Sequence, residues 1–524
     1  MRVSGSIRGA ILFVVCGIAT GAAFLPGPFG WTLLVSLAGL VACIRGVGKT
    51  NAFFRGWLFG IIAWTVGLYW FPPVVAEYSA GMPGLRWIFF LLIVGYLGLE
   101  LAIAAWLMRT LADALEGRGW TEAYALALAS VPVWVCVDGY FPPLFPAPIG
   151  TIMLFHLPLA QSLDLFGSAG LAWIIALCNA GVFLPLAEAH APMRRRWSPL
   201  VAVVMLLLLN EAYGLARIKS TDAAARASIE RKETVEVALV QASVPFGRRR
   251  TGQFIEDNIE IYRGLTREAV SAGPLDLVVW PQNTYERRIA VAADGSMTID
   301  GESARQVLAR DIPAGIPALL TTLADVEGGG TRYLSILRGK NGAIAGKSYK
   351  RFPTPLSEYF PLGTVFPFLY RLTPRMNRIE PGPQEPVALN GASLGVYVCY
   401  DGMKPDSARA LVRAGAEILV NPSSDQWSRD RSIQPLQAFA VTRLRAIETR
   451  RYLLRSTPNG MSTVVDATGR LLEELPIGGK GVLRVSVPRL QSSTPAAYFG
   501  PALYRFALVF LVLLFIFGRL GRDR

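Results

Sequence analysis

The chain has 524 residues, of which 52% are hydrophobic and only 17% charged, and its mean hydropathy is +0.38. Soluble chains carry about 25% charged residues, so the deficit points to lipid and excludes an ordinary soluble multidomain protein. The formal charge of +14 suggests nucleic-acid binding, but many arginines sit at the ends of apolar segments, where they report topology, and no nucleic-acid partner is expected.

About 20 apolar residues cross a bilayer core. In chain order the candidate spans are 10–25, 29–44, 56–75, 87–108, 122–141, 165–186, 198–216 and 499–518. The first two are short and read as tilted or partly re-entrant. The start reads as a first span, not as a cleavable signal peptide, because no small-residue cleavage site leads into a polar segment. Basic residues collect in cytoplasmic loops. With the N-terminus inside, the inner flanks hold Arg2, Arg8, Arg45, Lys49, Arg55, Arg109, Arg118, Arg194, Arg195, Arg196, Arg519, Arg522 and Arg524, against Arg86 alone outside. Both termini are therefore expected in the cytoplasm. The chain divides into a membrane bundle of seven spans (1–217), an exocytoplasmic domain (218–498) and a last span with a cytoplasmic tail (499–524).

The exocytoplasmic segment is entered through a polar linker, 219–232, and reads as α/β. Val235–Gln241 has the pattern of a buried strand, and Phe254, Ile255, Ile259, Tyr262 and Leu265 recur at helical spacing. Leu275–Trp280 predicts a strand stopped by Pro281, and Leu394–Cys399 a third. A helix over 406–414, a strand over 416–420, a helix over 432–450 and strands over 452–456 and 462–466 follow. Strands alternating with helices predict a layered sheet covered by helices.

Cys16, Cys43, Cys136 and Cys178 fall in expected spans, and Cys399 alone lies in the soluble domain, where it has no partner for an internal disulfide. It is either an inert buried thiol or a reactive one. Its place between an apolar strand and a polar turn, at the carboxyl edge of a sheet, favours the second. His156 and His190 both lie outside this domain, which excludes a Cys-His pair or a His-based zinc site within it. A nucleophilic Cys399 must then pass its proton to a carboxylate or amine, with a nearby cation to favour thiolate and stabilise an oxyanion. By residue type alone Lys350 reads as a surface lysine and Glu358 as a solvated or Arg-paired acid.

Three motifs in order change that reading: Trp280-Pro281-Gln282, then Lys350 eight residues before Glu358 within 350–361, then Cys399-Tyr400-Asp401. Together they resemble the nitrilase superfamily. With seven spans before and one after, and with Phe54–Gly60, Trp70, Val240-Gln241 and 441–460, the chain resembles the bacterial apolipoprotein N-acyltransferase family over nearly its whole length. The resemblance implies a multi-span α-helical membrane bundle plus an α/β nitrilase-like αββα sandwich domain facing the periplasm, in the bacterial inner membrane. It implies an acyltransferase that moves an acyl chain from a phospholipid to Cys399 as a thioester, and then to the N-terminal amine of a diacylglyceryl lipoprotein. Carried over by position, Cys399 is the nucleophile and Lys350 the oxyanion-stabilising cation. Glu358 matches a second glutamate near the triad, Tyr400 and Asp401 the aromatic-acid pair after the nucleophile, and Trp427 a tryptophan on a loop near lipid access. No cofactor or metal is expected, and the chain is expected to be a monomer.

The chain departs from the pattern where the family has Trp-Pro-Glu. Gln282 cannot take a proton at neutral pH, so the expected general base is missing. Ser424, Ser428 and Asp401 are further departures. Either Glu286, Glu358 or Asp401 supplies the base, or the chain is an impaired or inactive member that binds lipid or lipoprotein. A membrane-tethered amide hydrolase is the remaining alternative.

Overall fold

The computed structural model describes residues 7–78, 84–244, 252–361, 363–372, 378–425 and 432–520. The chain separates into two compact units, Met1–Ile218 with Phe499–Arg524, and Lys219–Tyr498.

The first unit is helical. Among the described residues, five helices are long and apolar enough to cross a membrane: Leu85–Glu116, Glu122–Tyr140, Leu163–Ala187, Met193–Glu230 and Ala502–Arg519. Ile7–Ala22 and Pro28–Cys43 are shorter apolar segments. Lys49–Gly67 packs closely on Leu85–Glu116 because glycines face it: a Cβ on Gly56 would meet the Leu101 carbonyl at 2.4 Å, and one on Gly60 the Cα of Gly98 at 2.7 Å. Asn179, buried inside a span, is satisfied there: it accepts the Ala38 N–H at 2.9 Å and donates to the carbonyls of Leu33 and Ile175. Two expectations are corrected. The stretch 56–75 is not one span, because Lys49–Gly67 ends and a separate helix, Phe71–Tyr78, begins with prolines in its first turn, where no N–H is needed. The polar linker expected over 219–232 is helical as far as Glu230, continuing the helix that starts at Met193. Ala223, Ala224, Ala225 and Ala227 favour helix irrespective of polarity.

The second unit has four layers. A nine-stranded sheet contains Thr234–Gln241, Leu277–Gln282, Ala318–Val326, Gly330–Arg338 and Ile344–Tyr349; a six-stranded sheet contains Ala392–Val396, Ile418–Pro422 and Tyr452–Ser456. Alternate residues of each strand face opposite layers. Val237, Leu239, Val279 and Leu319 meet Leu394, Val396, Val420 and Leu454 between the sheets. Ala238, Val240, Val278 and Trp280 face outward onto Gly252–Ser271, which offers Ile259, Tyr262 and Leu265. Pro405–Arg413 and Gln434–Thr449 cover the other sheet through Ala408, Leu411 and Phe439. Burial on both faces makes the central strands nearly continuous apolar runs, and each buried side chain contributes about 1.5–3 kcal/mol.

Two strand ends differ from expectation. Leu277–Gln282 runs through Pro281: the proline, lacking an N–H, falls at a register shift between Val279 and Gln282, after which Gln282 pairs with Thr321. Conversely the strand expected to reach Cys399 ends at Val396, and Cys399 opens a 3-10 turn, Cys399–Met403.

Candidate active site

Cys399 has φ +51°, a left-handed conformation that costs a non-glycine residue about 1–3 kcal/mol and is held only when its surroundings over-determine it. They do so here. Asn421, on the adjacent parallel strand, donates to the carbonyls of Tyr397 at 2.8 Å and Cys399 at 3.3 Å. Asp401 is fully buried and its carboxylate accepts the N–H groups of Val398 (3.1 Å), Phe352 (2.7 Å) and Arg351 (3.2 Å), and Gln384 Nε2 at 3.1 Å. One carboxylate thus ties the cysteine turn to the segment that follows Lys350. Burial raises the Asp401 carboxyl to about 6, against the pull of Lys350 and the three N–H donors.

Lys350 is fully buried at the end of Ile344–Tyr349. Its ammonium donates to Glu358 Oε1 at 2.7 Å and Thr354 Oγ1 at 3.2 Å, and lies 5.3 Å from the ring centroid of Tyr333. Glu358 uses its other oxygen to accept the Thr354 N–H at 2.7 Å, so the loop 354–358 closes on itself around the lysine. Burial alone would lower the Lys350 ammonium, but Glu358 first, then Cys399 and Asp401, more than offset this and hold it above the ordinary lysine range.

Cys399 is half-buried as a residue. Burial pushes the thiol up, Lys350 pulls it down, Asp425 and Glu358 push it further up, and the Ser424 backbone N–H pulls it down; the net direction is up. The resting group is therefore a thiol, and attack by sulfur requires a base. Asp425 is itself gripped by Arg455 in two bonds of 2.9 and 3.0 Å, and the same guanidinium donates to Asn421 Oδ1 at 2.6 Å and Ser423 Oγ at 2.9 Å. Arg455 stands directly beside Asn421 in the parallel register, so one buried cation sets the carboxyl ends of both strands and the backbone that turns Ser424 toward the sulfur.

Gln282 lies in the other sheet. The register places Gln282, Thr321, Ser335 and Ser348 in one row across four strands, on the face turned to the second sheet. Thr321 and Ser335 bond at 2.8 Å, and Ser348 Oγ reaches the Val396 carbonyl at 3.1 Å, two residues along the strand from Lys350 and on the same face. Gln282 is 1% exposed and its Oε1 has no hydrogen-bond partner among the described residues, although a buried amide oxygen is normally satisfied. Its neighbour Asn283, at φ +62°, bonds the Tyr333 hydroxyl beneath the Lys350 ammonium.

The structure thus gathers Lys350, Glu358, Cys399 and Asp401, with Tyr400 buried in the same turn and its ring face against the Lys404 ammonium at 5.3 Å. Trp427, with Ser428, lies outside the described residues. Asp401 spends its oxygens on the backbone, and Glu358 is the carboxylate in contact with Lys350. Sequence reasoning missed Asn421, Arg455 and Tyr333. A charged residue inside the apolar strand Tyr452–Ser456 was the available signal for Arg455. Among the described residues no group of His, Cys, Asp and Glu is placed to hold a metal ion.

Comparison with known proteins covers both units. Residues 236–494 match the carbon-nitrogen hydrolase family and residues 16–181 the apolipoprotein N-acyltransferase N-terminal domain. The chain is 30% identical to the apolipoprotein N-acyltransferase of Geobacter metallireducens over 92% of its own length and 89% of that protein's. It is 27% identical to that of Pseudomonas syringae pv. tomato over 93% and 92%. Among solved structures, Saccharomyces cerevisiae Nit3 of the nitrilase superfamily is similar at 19% identity and a TM-score of 0.38, covering 49% of this chain and 90% of that one.

Proposed function

This chain belongs to the apolipoprotein N-acyltransferase family, and from that premise we propose that it acylates lipoproteins through a thioester on Cys399, with Glu358 as the working base in place of the glutamate that Gln282 replaces. The observation that carries the proposal is the buried Lys350 ammonium, held at 2.7 Å by Glu358 beside a thiol in a strained turn.

In the first half-reaction the Cys399 proton passes to Glu358 as sulfur attacks the ester carbonyl of a phospholipid. The oxyanion that forms is stabilised by Lys350 and by the Ser424 N–H, which already points at the sulfur. Collapse expels the lysophospholipid alkoxide, which takes the proton back from Glu358, and leaves the acyl thioester. In the second, the α-amine of a diacylglyceryl lipoprotein attacks the thioester carbonyl, loses a proton to Glu358, and forms an amide. The departing thiolate recovers that proton. Asp401 and Arg455 do no proton transfer; they hold the lysine segment and the cysteine turn in register. Both substrates are lipid-borne, which fits a helical unit with membrane-length apolar helices. The imbalance of basic residues in the short loops supports an inner-membrane protein with Lys219–Tyr498 on the periplasmic side.

The unpartnered Gln282 oxygen favours one competing reading, an impaired enzyme. The test is transfer from a phospholipid to a diacylated lipopeptide by the purified chain. Product from the parent protein, and none from Cys399→Ala, is expected. Product only after Gln282→Glu overturns Glu358 as base.

A further inference from the structure

An apolar groove of about 400 Å³ lies among the helices Glu122–Tyr140, Leu163–Ala187 and Met193–Glu230, lined by Leu128, Val131, Leu177, Ala180 and Leu206. Trp120 and Tyr124 also line it, and Tyr124 touches Arg195 in the basic first turn of the third helix. Pro199 lies inside the third helix and has no N–H, so the Arg195 carbonyl one turn earlier loses its helical donor. The Tyr124 hydroxyl donates to it at 3.4 Å. The Arg195 guanidinium lies 5.0 Å from the Tyr124 ring centroid.

Charge at this rim is one-sided. Arg194 and Arg195 are exposed and have no carboxylate partner among the described residues. Arg196 is spent on the carbonyls of Pro185 and Ala189. The nearby acids are engaged elsewhere: Glu188 accepts from Thr121, and Glu122 pairs with Arg45 and Arg109. Only 11% of the apolar window of Met193–Glu230 is buried, so that stretch of the helix is largely uncovered within the protein.

We infer that this groove is a binding site for an anionic phospholipid, one acyl chain in the groove and the phosphate on Arg194 and Arg195. The slot is lined by Tyr124, whose ring carries the Arg195 guanidinium, with exposed Arg194 next to it in the chain; these cations favour an anionic headgroup over a zwitterionic one, whose ammonium they repel. Every residue it uses belongs to the first unit, so the inference does not depend on the Cys399 mechanism.

The test uses the full chain in vesicles of phosphatidylcholine doped with lipid brominated on its acyl chains. Trp120 lines the groove, so the fluorescence difference between the parent and Trp120→Phe isolates its signal. Brominated phosphatidylglycerol is expected to quench that component at about fivefold lower mole fraction per arginine than brominated phosphatidylcholine. Arg194→Gln with Arg195→Gln, at exposed positions, should erase the preference, and Ala180→Phe should abolish quenching by filling the slot. Equal quenching by both lipids, or a preference that survives the double substitution, overturns the inference. So does a dimer in the parent that Ala180→Phe converts to monomer, which would make a second copy the occupant.

Discussion

Replacing Glu358 by Gln is the perturbation with the sharpest consequences. The isosteric amide keeps an acceptor for the Thr354 N–H but removes the charge that lies 2.7 Å from an ammonium with no solvent exposure. Breaking a buried ion pair by neutralising one partner costs about 3–5 kcal/mol, because the surviving charge is left uncompensated. Loss of a general base costs about a hundredfold to ten-thousandfold in rate. The two effects separate in the thiol. Glu358 pushes the Cys399 thiol up, so removing it moves the thiol down. The midpoint of Cys399 alkylation by iodoacetamide should shift to lower pH while acyl transfer at pH 7 falls by at least a hundredfold. Thermal unfolding of the same sample shows whether the protein remains folded. Transfer within tenfold of the parent refutes Glu358 as base, and alkylation that slows at every pH alongside transfer refutes it in favour of a purely structural role.

Gln282→Glu should leave transfer within about tenfold of the parent if Glu358 already serves; a carboxylate added to a buried position without a hydrogen-bond partner for its oxygen should instead lower thermal stability. For Asp401 the folded pKa, about 6, lies above the ordinary aspartate value, so its contribution to stability is fully present at pH below about 4 and is lost as pH rises through about 6. Transfer should run the other way, declining below about pH 6 as protonation weakens the acceptor for the Phe352 and Arg351 N–H groups, and unfolding and rate profiles together check the opposed signs. Arg455→Ala leaves the buried Asp425 carboxylate without its guanidinium, so a loss of about 3–5 kcal/mol in stability is expected. Arg455→Lys, which retains charge but not the two-pronged geometry, should remain folded and lower kcat more than it raises KM.

Much of this architecture was legible because burial imposes simple periodicities. Thr234–Gln241, Ile418–Pro422 and Tyr452–Ser456 lie between layers and show it as apolar runs. The hairpin Ala318–Val326 with Gly330–Arg338 was not legible. Thr321 and Ser335 interrupt its pattern because they belong to the polar row running toward Gln282, and Thr322, on the opposite face, because it donates to the Arg287 carbonyl. Pro281 misled for a related reason: a proline ends a strand only when the ladder has no register shift to absorb it. The helix through 219–230 was hidden by its polarity, which reports exposure and not backbone conformation. In the site, Lys350, Glu358 and Cys399 were found through motif order. Asn421 and Arg455 act through side-chain bonds between parallel strands, a register that local sequence does not encode.

The most direct measurement is the intact mass of the parent chain after incubation with a phospholipid of a single acyl composition, followed by peptide mapping. One acyl group on Cys399, released by neutral hydroxylamine and absent in Cys399→Ala, is the predicted result. Transfer to a lipopeptide with no acyl group ever found on Cys399, or with the group on another residue, contradicts the account.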